Sequence, residues 1–124
     1  MLVEAPPTTR ILVVEDEEVI RDLLMMVFER EGLEATCAGT TAEALSRLDD
    51  CPTHITLDLH LPDGRGTEVL QEVRTRGLPA RVAVTTGTID PALLRIVSDL
   101  HPDRIFQKPF RTTELVKWVR ATAG

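Results

Sequence analysis

Residues 11–17 read ILVVEDE, and the change of character within these seven residues decides the fold. Ile11-Leu12-Val13-Val14 is an apolar, mostly β-branched run with no polar alternation, which suits a strand buried on both faces. The acid pair Glu15-Asp16 follows at once, and the hydrophobic period then changes. Ile20, Leu23, Leu24, Val27 and Phe28 recur at i, i+3, i+4, i+7 and i+8, the spacing of a one-sided helix. Glu17 and Glu18 suit the positive end of that helix, and Gly32 suits its close.

Outward from this unit the cycle repeats. A short strand at Glu34–Ala38 leads through Gly39 to a helix from about Thr41, with Ala42, Leu45 and Leu48 inward. His54–Asp58 reads as a strand and Leu61-Pro62-Asp63-Gly64 as a turn. Val69, Leu70 and Val73 face a third helix that stops near Gly77 and Pro79. Arg81–Thr85 is a fourth strand, after which Asp90-Pro91 supplies an N-cap and the one helical position where proline fits well. Leu93, Leu94, Ile96, Val97 and Leu100 give that fourth helix a broad apolar face. Ile105–Gln107 is a brief fifth strand, and Leu115, Trp118 and Val119 carry the last helix. Five strands alternating with five helices predict an α/β fold, a doubly wound five-stranded parallel sheet with helices on both faces and strand order 2-1-3-4-5. In that order the winding reverses between strands 1 and 3, and ligands bind beyond the carboxyl ends of strands at such a point.

The chain has 124 residues, the size of one domain whose core needs no staples. Hydrophobic residues make up 43% and charged residues 27%, so neither a disordered nor a membrane class is indicated. No apolar run approaches the roughly 20 residues that cross a bilayer. Residues 1–9, with Glu4, Pro6 and Pro7, lack the basic start and apolar stretch of a secretory signal and read as a flexible extension, with one domain over 10–124. The net charge of −6 argues against the basic footprint of a nucleic-acid binder. It is unevenly spread: residues 1–50 hold 12 acids and 4 bases, whereas 101–124 hold 2 acids and 5 bases. The acidic half can attract a cation, although most of these charges are expected on solvated helix faces. Cys37 and Cys51 are too few for a disulfide framework, and reduced thiols in a cytoplasmic protein are the plain expectation.

Four pieces stand at the ends of predicted strands: Glu15-Asp16, Asp58, Thr86 and Lys108-Pro109. Carboxylates, a hydroxyl and an ammonium group gathered in this way suit a divalent metal and a phosphoryl group. A carboxylate is ionised at neutral pH and needs no general base to act as a nucleophile; what it needs near phosphate is relief of charge repulsion. Glu15 and Asp16 could simply cap the first helix, but that accounts for neither Asp58 nor Lys108. In Val84-Thr85-Thr86-Gly87 either threonine could face the site, since adjacent strand residues point to opposite sides. His54, Asp58 and His60 loosely suggest a transition-metal set, yet a fourth ligand is unassigned.

With ILVVEDE at 11–17, LDLHLPDGRG at 57–66, VTTG at 84–87 and QKPF at 107–110, the chain resembles the response-regulator receiver domain, the phosphoacceptor module of two-component signalling. The likeness covers about residues 10–121, and its four motifs, weak singly, are specific in combination. It implies a flavodoxin-like, CheY-like (βα)5 fold with Asp58 as phosphoacceptor. It implies Mg²⁺, or Mn²⁺ in its stead, held by Asp16, by Glu15 directly or through water, by Asp58 and by the backbone carbonyl of His60. Glu15 stands where relatives often carry aspartate, a departure that bears on metal geometry. Lys108 would offset the repulsion between these acids and phosphate, its bond to Pro109 would be cis, and Thr86 rather than Thr85 would donate to a phosphoryl oxygen beside the small Gly87. The implied partners are a sensor histidine kinase or histidine phosphotransfer protein and a downstream protein target, with no direct role for nucleic acid or membrane. Switching would run through the face of helix 4, strand 5 and helix 5, with Thr86 and the residue three before the lysine moving together. That residue is Ile105, which has no ring to flip, and alternation turns Phe106 the other way.

Two other classes share parts of this set. A haloacid-dehalogenase-like small phosphatase would also use Asp58 as nucleophile, but it calls for a second aspartate two residues on, where this chain has His60. A flavodoxin-like binding module would need donors in the loop after strand 1, and that loop is acidic.

Overall fold

A computed structural model describes residues 8–123; most of the predicted N-terminal extension, residues 1–7, lies outside the described residues. The main elements are β1 (Arg10–Val14), α1 (Glu18–Arg30), β2 (Glu34–Ala38), α2 (Thr41–Arg47), β3 (His54–Asp58), α3 (Gly66–Thr75), β4 (Arg81–Thr86), α4 (Pro91–Asp99), β5 (Arg104–Gln107) and α5 (Thr112–Thr122). The five strands are all parallel, in the order β2-β1-β3-β4-β5. This is the predicted doubly wound α/β sheet.

Strand alternation divides the core into two layers. Leu12, Val14, Ile55, Leu57, Val82 and Val84 pack with Ala44, Leu48, Val69, Leu70, Val73 and Val97 of the α2–α4 side. Ile11, Val13, Ala83 and Phe106 pack with Leu24, Phe28, Leu115, Val116, Trp118 and Val119 of α1 and α5. Burial on both faces explains why β1 and the middle of β4 read as continuous apolar runs, whereas β3 is buried throughout with His54, Thr56 and Asp58 interleaved among its apolar residues.

Local signals end the helices as expected. Gly32 takes φ +72 after α1, where Leu33 N–H reaches Phe28 O at 3.0 Å. Asp90 caps α4 by accepting from Ala92 N–H at 3.0 Å. Three helical positions differ from expectation. Ala42 is exposed and Ala44 buried on α2, which starts at Thr41 as expected, because the buried stripe runs through Thr41, Ala44 and Leu48 at i, i+3 and i+7. Leu23 on α1 and Ile96 on α4 belong to apolar spacings yet lie exposed, since each helix buries a stripe narrower than its apolar face. The turn at 61–64 is the tip of a small antiparallel ribbon, His60–Leu61 paired with Gly64–Arg65. No described helix is long and apolar enough to cross a membrane.

Register aligns the strand ends. Val14 pairs with Ala38 on one side and Leu57 on the other, Asp58 with Thr85, and Thr86 with Gln107. Glu15, Asp58, Thr86 and Lys108 are therefore each the last residue of a strand or the first beyond it.

Candidate functional site

Lys108 joins the ends of β1 and β3. Its Nζ donates to Glu15 Oε1 at 3.1 Å and to Asp58 Oδ2 at 3.1 Å. Both acids are buried, Glu15 at 2% exposure and Asp58 at 4%, while the lysine side chain keeps 26%. Lys108 N–H bonds to Thr86 O at 2.7 Å, extending the β4–β5 ladder past the strand, and the Lys108–Pro109 bond is cis.

The acid pair sits in the turn from β1 into α1. Glu15 N–H continues the sheet by donating to Ala38 O at 3.0 Å, and Glu15 Oε2 accepts from Glu17 N–H at 3.3 Å. Glu15 thus does share in opening α1, but its other oxygen faces Lys108. Asp16 is exposed. Glu15, Asp16 and Asp58 each present a carboxylate oxygen within 4.8 Å of the others, the one such cluster of possible metal ligands among the described residues. Burial, and then the neighbouring Asp58 carboxyl, push Glu15 up to about 7, with Lys108 pulling the other way. Burial alone would lower Lys108, but hydrogen bonds and charge from Glu15 and Asp58 outweigh it and leave the ammonium raised.

The remaining candidates surround this pair. His60 is exposed, and its N–H donates to Asp58 Oδ1 at 3.1 Å. Gly66 lies close beneath, where a Cβ would meet Asp58 O at 2.1 Å, so only glycine fits the start of α3. Thr86 is buried, and its Oγ1 accepts from Thr88 N–H at 3.0 Å. Thr85 is buried as the direct neighbour of Asp58 across the sheet. Ile105 is 36% exposed, whereas Phe106 turns into the α1/α5 layer against Phe110 and Trp118. His54 lies at the opposite end of β3 from Asp58, which separates the three residues of the loosely suggested transition-metal set.

Two contacts had no signal in the sequence. Asp63 in the ribbon turn accepts from Thr41 N–H at 2.6 Å and Ala42 N–H at 3.0 Å, tying that turn to the start of α2. Arg21 donates to the backbone oxygens of Glu15 and Asp16. Both depend on distances across the fold, and neither residue type is unusual for a loop or an exposed helix.

The model of the response regulator receiver domain matches residues 11–120. The chain belongs to the response-regulator receiver family. Among relatives, the sensory transduction protein RegX3 of Mycolicibacterium smegmatis is 35% identical over 115 residues, covering 91% of this chain and 50% of that protein. This receiver domain thus spans about half the length of the curated relatives it matches. A CheY-like receiver domain protein from Methanospirillum hungatei superposes with a TM-score of 0.88 at 24% identity, over 94% of each chain, a likeness of fold. A Burkholderia pseudomallei response regulator, solved with a phosphorylated aspartic acid, calcium ion and citrate, superposes at TM-score 0.82 and 26% identity over 93% of this chain and 68% of that one.

Proposed function

We propose that this receiver domain is a phosphoacceptor switch of a two-component or phosphorelay system, and that Asp58 takes the phosphoryl group from a phosphohistidine of a sensor kinase or phosphotransfer protein. The observation that carries the reading is Lys108 Nζ at 3.1 Å from both Asp58 and Glu15, with Asp16 completing a carboxylate cluster.

Hard oxygen donors gathered around one amine suit a small divalent cation. Glu15, Asp16, Asp58 and the His60 carbonyl would hold Mg²⁺, or Mn²⁺ in its stead, and the bound ion would supply positive charge to the phosphoryl oxygens. An Asp58 carboxylate oxygen attacks phosphorus, the phosphorus–nitrogen bond of the donor breaks, and the imidazole leaves with the electron pair. Lys108, held protonated by its acid neighbours, offsets the charge of the incoming group. In the described hydrogen bonds Thr86 Oγ1 only accepts, which leaves its own hydrogen to donate to a phosphoryl oxygen. His60 N–H orients Asp58 Oδ1 through the backbone.

The domain then acts by changed protein contact, with one phosphoryl group per chain rather than turnover of a substrate. Exposed Ile89, Ile96 and Ile105, on the loop before α4, on α4 and on β5, support the α4–β5–α5 side as the face that meets a target. A phosphatase is not favoured, because the second position beyond Asp58 is a histidine. Incubation with acetyl phosphate and Mg²⁺, followed by intact mass measurement, is expected to add one phosphoryl group that Asp58→Ala does not acquire. Labelling that persists in Asp58→Ala would overturn the assignment.

A further inference from the structure

Arg21, one turn into α1, sends its side chain back toward the strand ends. Nη1 donates to Glu15 O at 3.1 Å and to Asp16 O at 3.4 Å, so one guanidinium spans the backbone of both acids. A separate feature of the fold makes room for it. Gly39, the first residue after β2, lies where a Cβ would stand 2.8 Å from Nη1. Gly39 does not take a positive φ, so its backbone does not itself require glycine. The bare Cα serves space, and the space is filled by Arg21.

We propose that Arg21 is the positioning residue for the metal-binding acid pair, and that Gly39 admits it. This rests on the metal reading above. Adjacent carboxylates repel, and a loop free to move would let Glu15 and Asp16 swing apart. The acid loop is tied by Glu15 N–H to Ala38 O, by Glu17 N–H to Glu15 Oε2, by Lys108 Nζ to Glu15 Oε1, and by the guanidinium. Only the guanidinium grips both acidic residues. With their carbonyl oxygens so engaged, Glu15 and Asp16 offer a cation their carboxylates. Partners that orient metal ligands in this way govern affinity without touching the ion.

The test is a double-mutant cycle read by Mn²⁺ binding, using the loss of the free-ion paramagnetic signal. Arg21→Lys keeps the charge and loses the planar fork. Gly39→Ala keeps Arg21 and pushes its tip aside, and since only the end of a flexible side chain must move, the urea midpoint is expected to hold. Each single variant is expected to raise the Mn²⁺ dissociation constant about 10-fold, as other orienting partners do, and the double variant by no more than either. In metal-free protein both variants are expected to speed hydrogen exchange at the Glu17 amide. Unchanged affinity in either single variant, or a double variant weakened by about 100-fold as independent sites would add, overturns the inference. If wild type takes up no Mn²⁺, the metal reading falls and this inference with it; if wild type binds and the variants bind equally well, this inference alone falls.

Discussion

At the carboxyl ends of the strands Glu15 is buried beside a second acid, with one lysine between them; at the amino ends His54 is buried among hydroxyls that satisfy both of its ring nitrogens. His54 Nδ1 lies 2.9 Å from Thr53 Oγ1 and Nε2 lies 2.9 Å from Thr122 Oγ1. Trp118 meets the imidazole edge-on at 5.4 Å, and Thr122 Oγ1 donates to Trp118 O at 2.7 Å. This network fastens the start of β3 to the end of α5. Burial favours the neutral form at both ends, lowering His54 and raising Glu15. The difference lies in the partners. Hydroxyls satisfy a neutral ring completely, whereas two carboxylates around one amine carry an excess of negative charge unless Glu15 holds a proton or a cation arrives from outside. One end has its polar groups paired by hydroxyls; the other gathers two acids around one amine, at the site proposed above for phosphoryl transfer.

The largest effect that would test this contrast is Trp118→Ala, expected to lower stability by about 3–5 kcal/mol through its transfer and cavity terms, while the folded protein still accepts phosphoryl groups at Asp58. Urea unfolding and mass labelling of the same sample measure both, and loss of labelling in folded Trp118→Ala would mean that the two ends are not independent. Next comes Glu15→Gln, expected to stabilise metal-free protein at pH 8 by about 1 kcal/mol, in the range of other relieved functional strains. The sign follows from linkage. A carboxyl moved from 4.5 to about 7 holds its proton more tightly when folded, so its stabilising contribution is full below pH 4.5 and is lost as pH rises through 7. Unfolding in the presence of a chelator at pH 5 and pH 8 should show this decline in wild type and not in Glu15→Gln; equal declines would mean that Glu15 is not the titrating group. The smallest effect belongs to His54, where the sign is reversed. A histidine lowered from 6.5 when folded contributes stability that is full above pH 6.5 and lost as pH falls below it. His54→Gln should remove that acid slope, and a slope that survives would assign it elsewhere.

The amount legible beforehand differed from element to element. β1 was plain, because a strand covered on both faces carries an unbroken apolar run. The start of α4 was plain too, since Asp90-Pro91 joins a side-chain cap to the proline position that suits a first turn. Helix faces were less so: Leu23 and Ile96 fit the spacing of a buried stripe but face outward, because periodicity ranks directions around an axis without saying how wide the contact is. The strand-end acids, Asp58 and Lys108 could be named from motif order. Asp63 and Arg21 could not, because each acts on backbone atoms whose position arises only after neighbouring elements are packed.

Period, caps and turns are local, so the sequence by itself determined the alternation of strands and helices, the parallel sheet and the set of groups at the strand ends. Tertiary structure alone decided that one ammonium would touch carboxylates 50 and 93 residues away, and that the missing side chain at Gly39 would make room for Arg21. Those contacts depend on sheet register and on side chains crossing between elements, where a shift of a few ångströms breaks a hydrogen bond while leaving every local pattern unchanged.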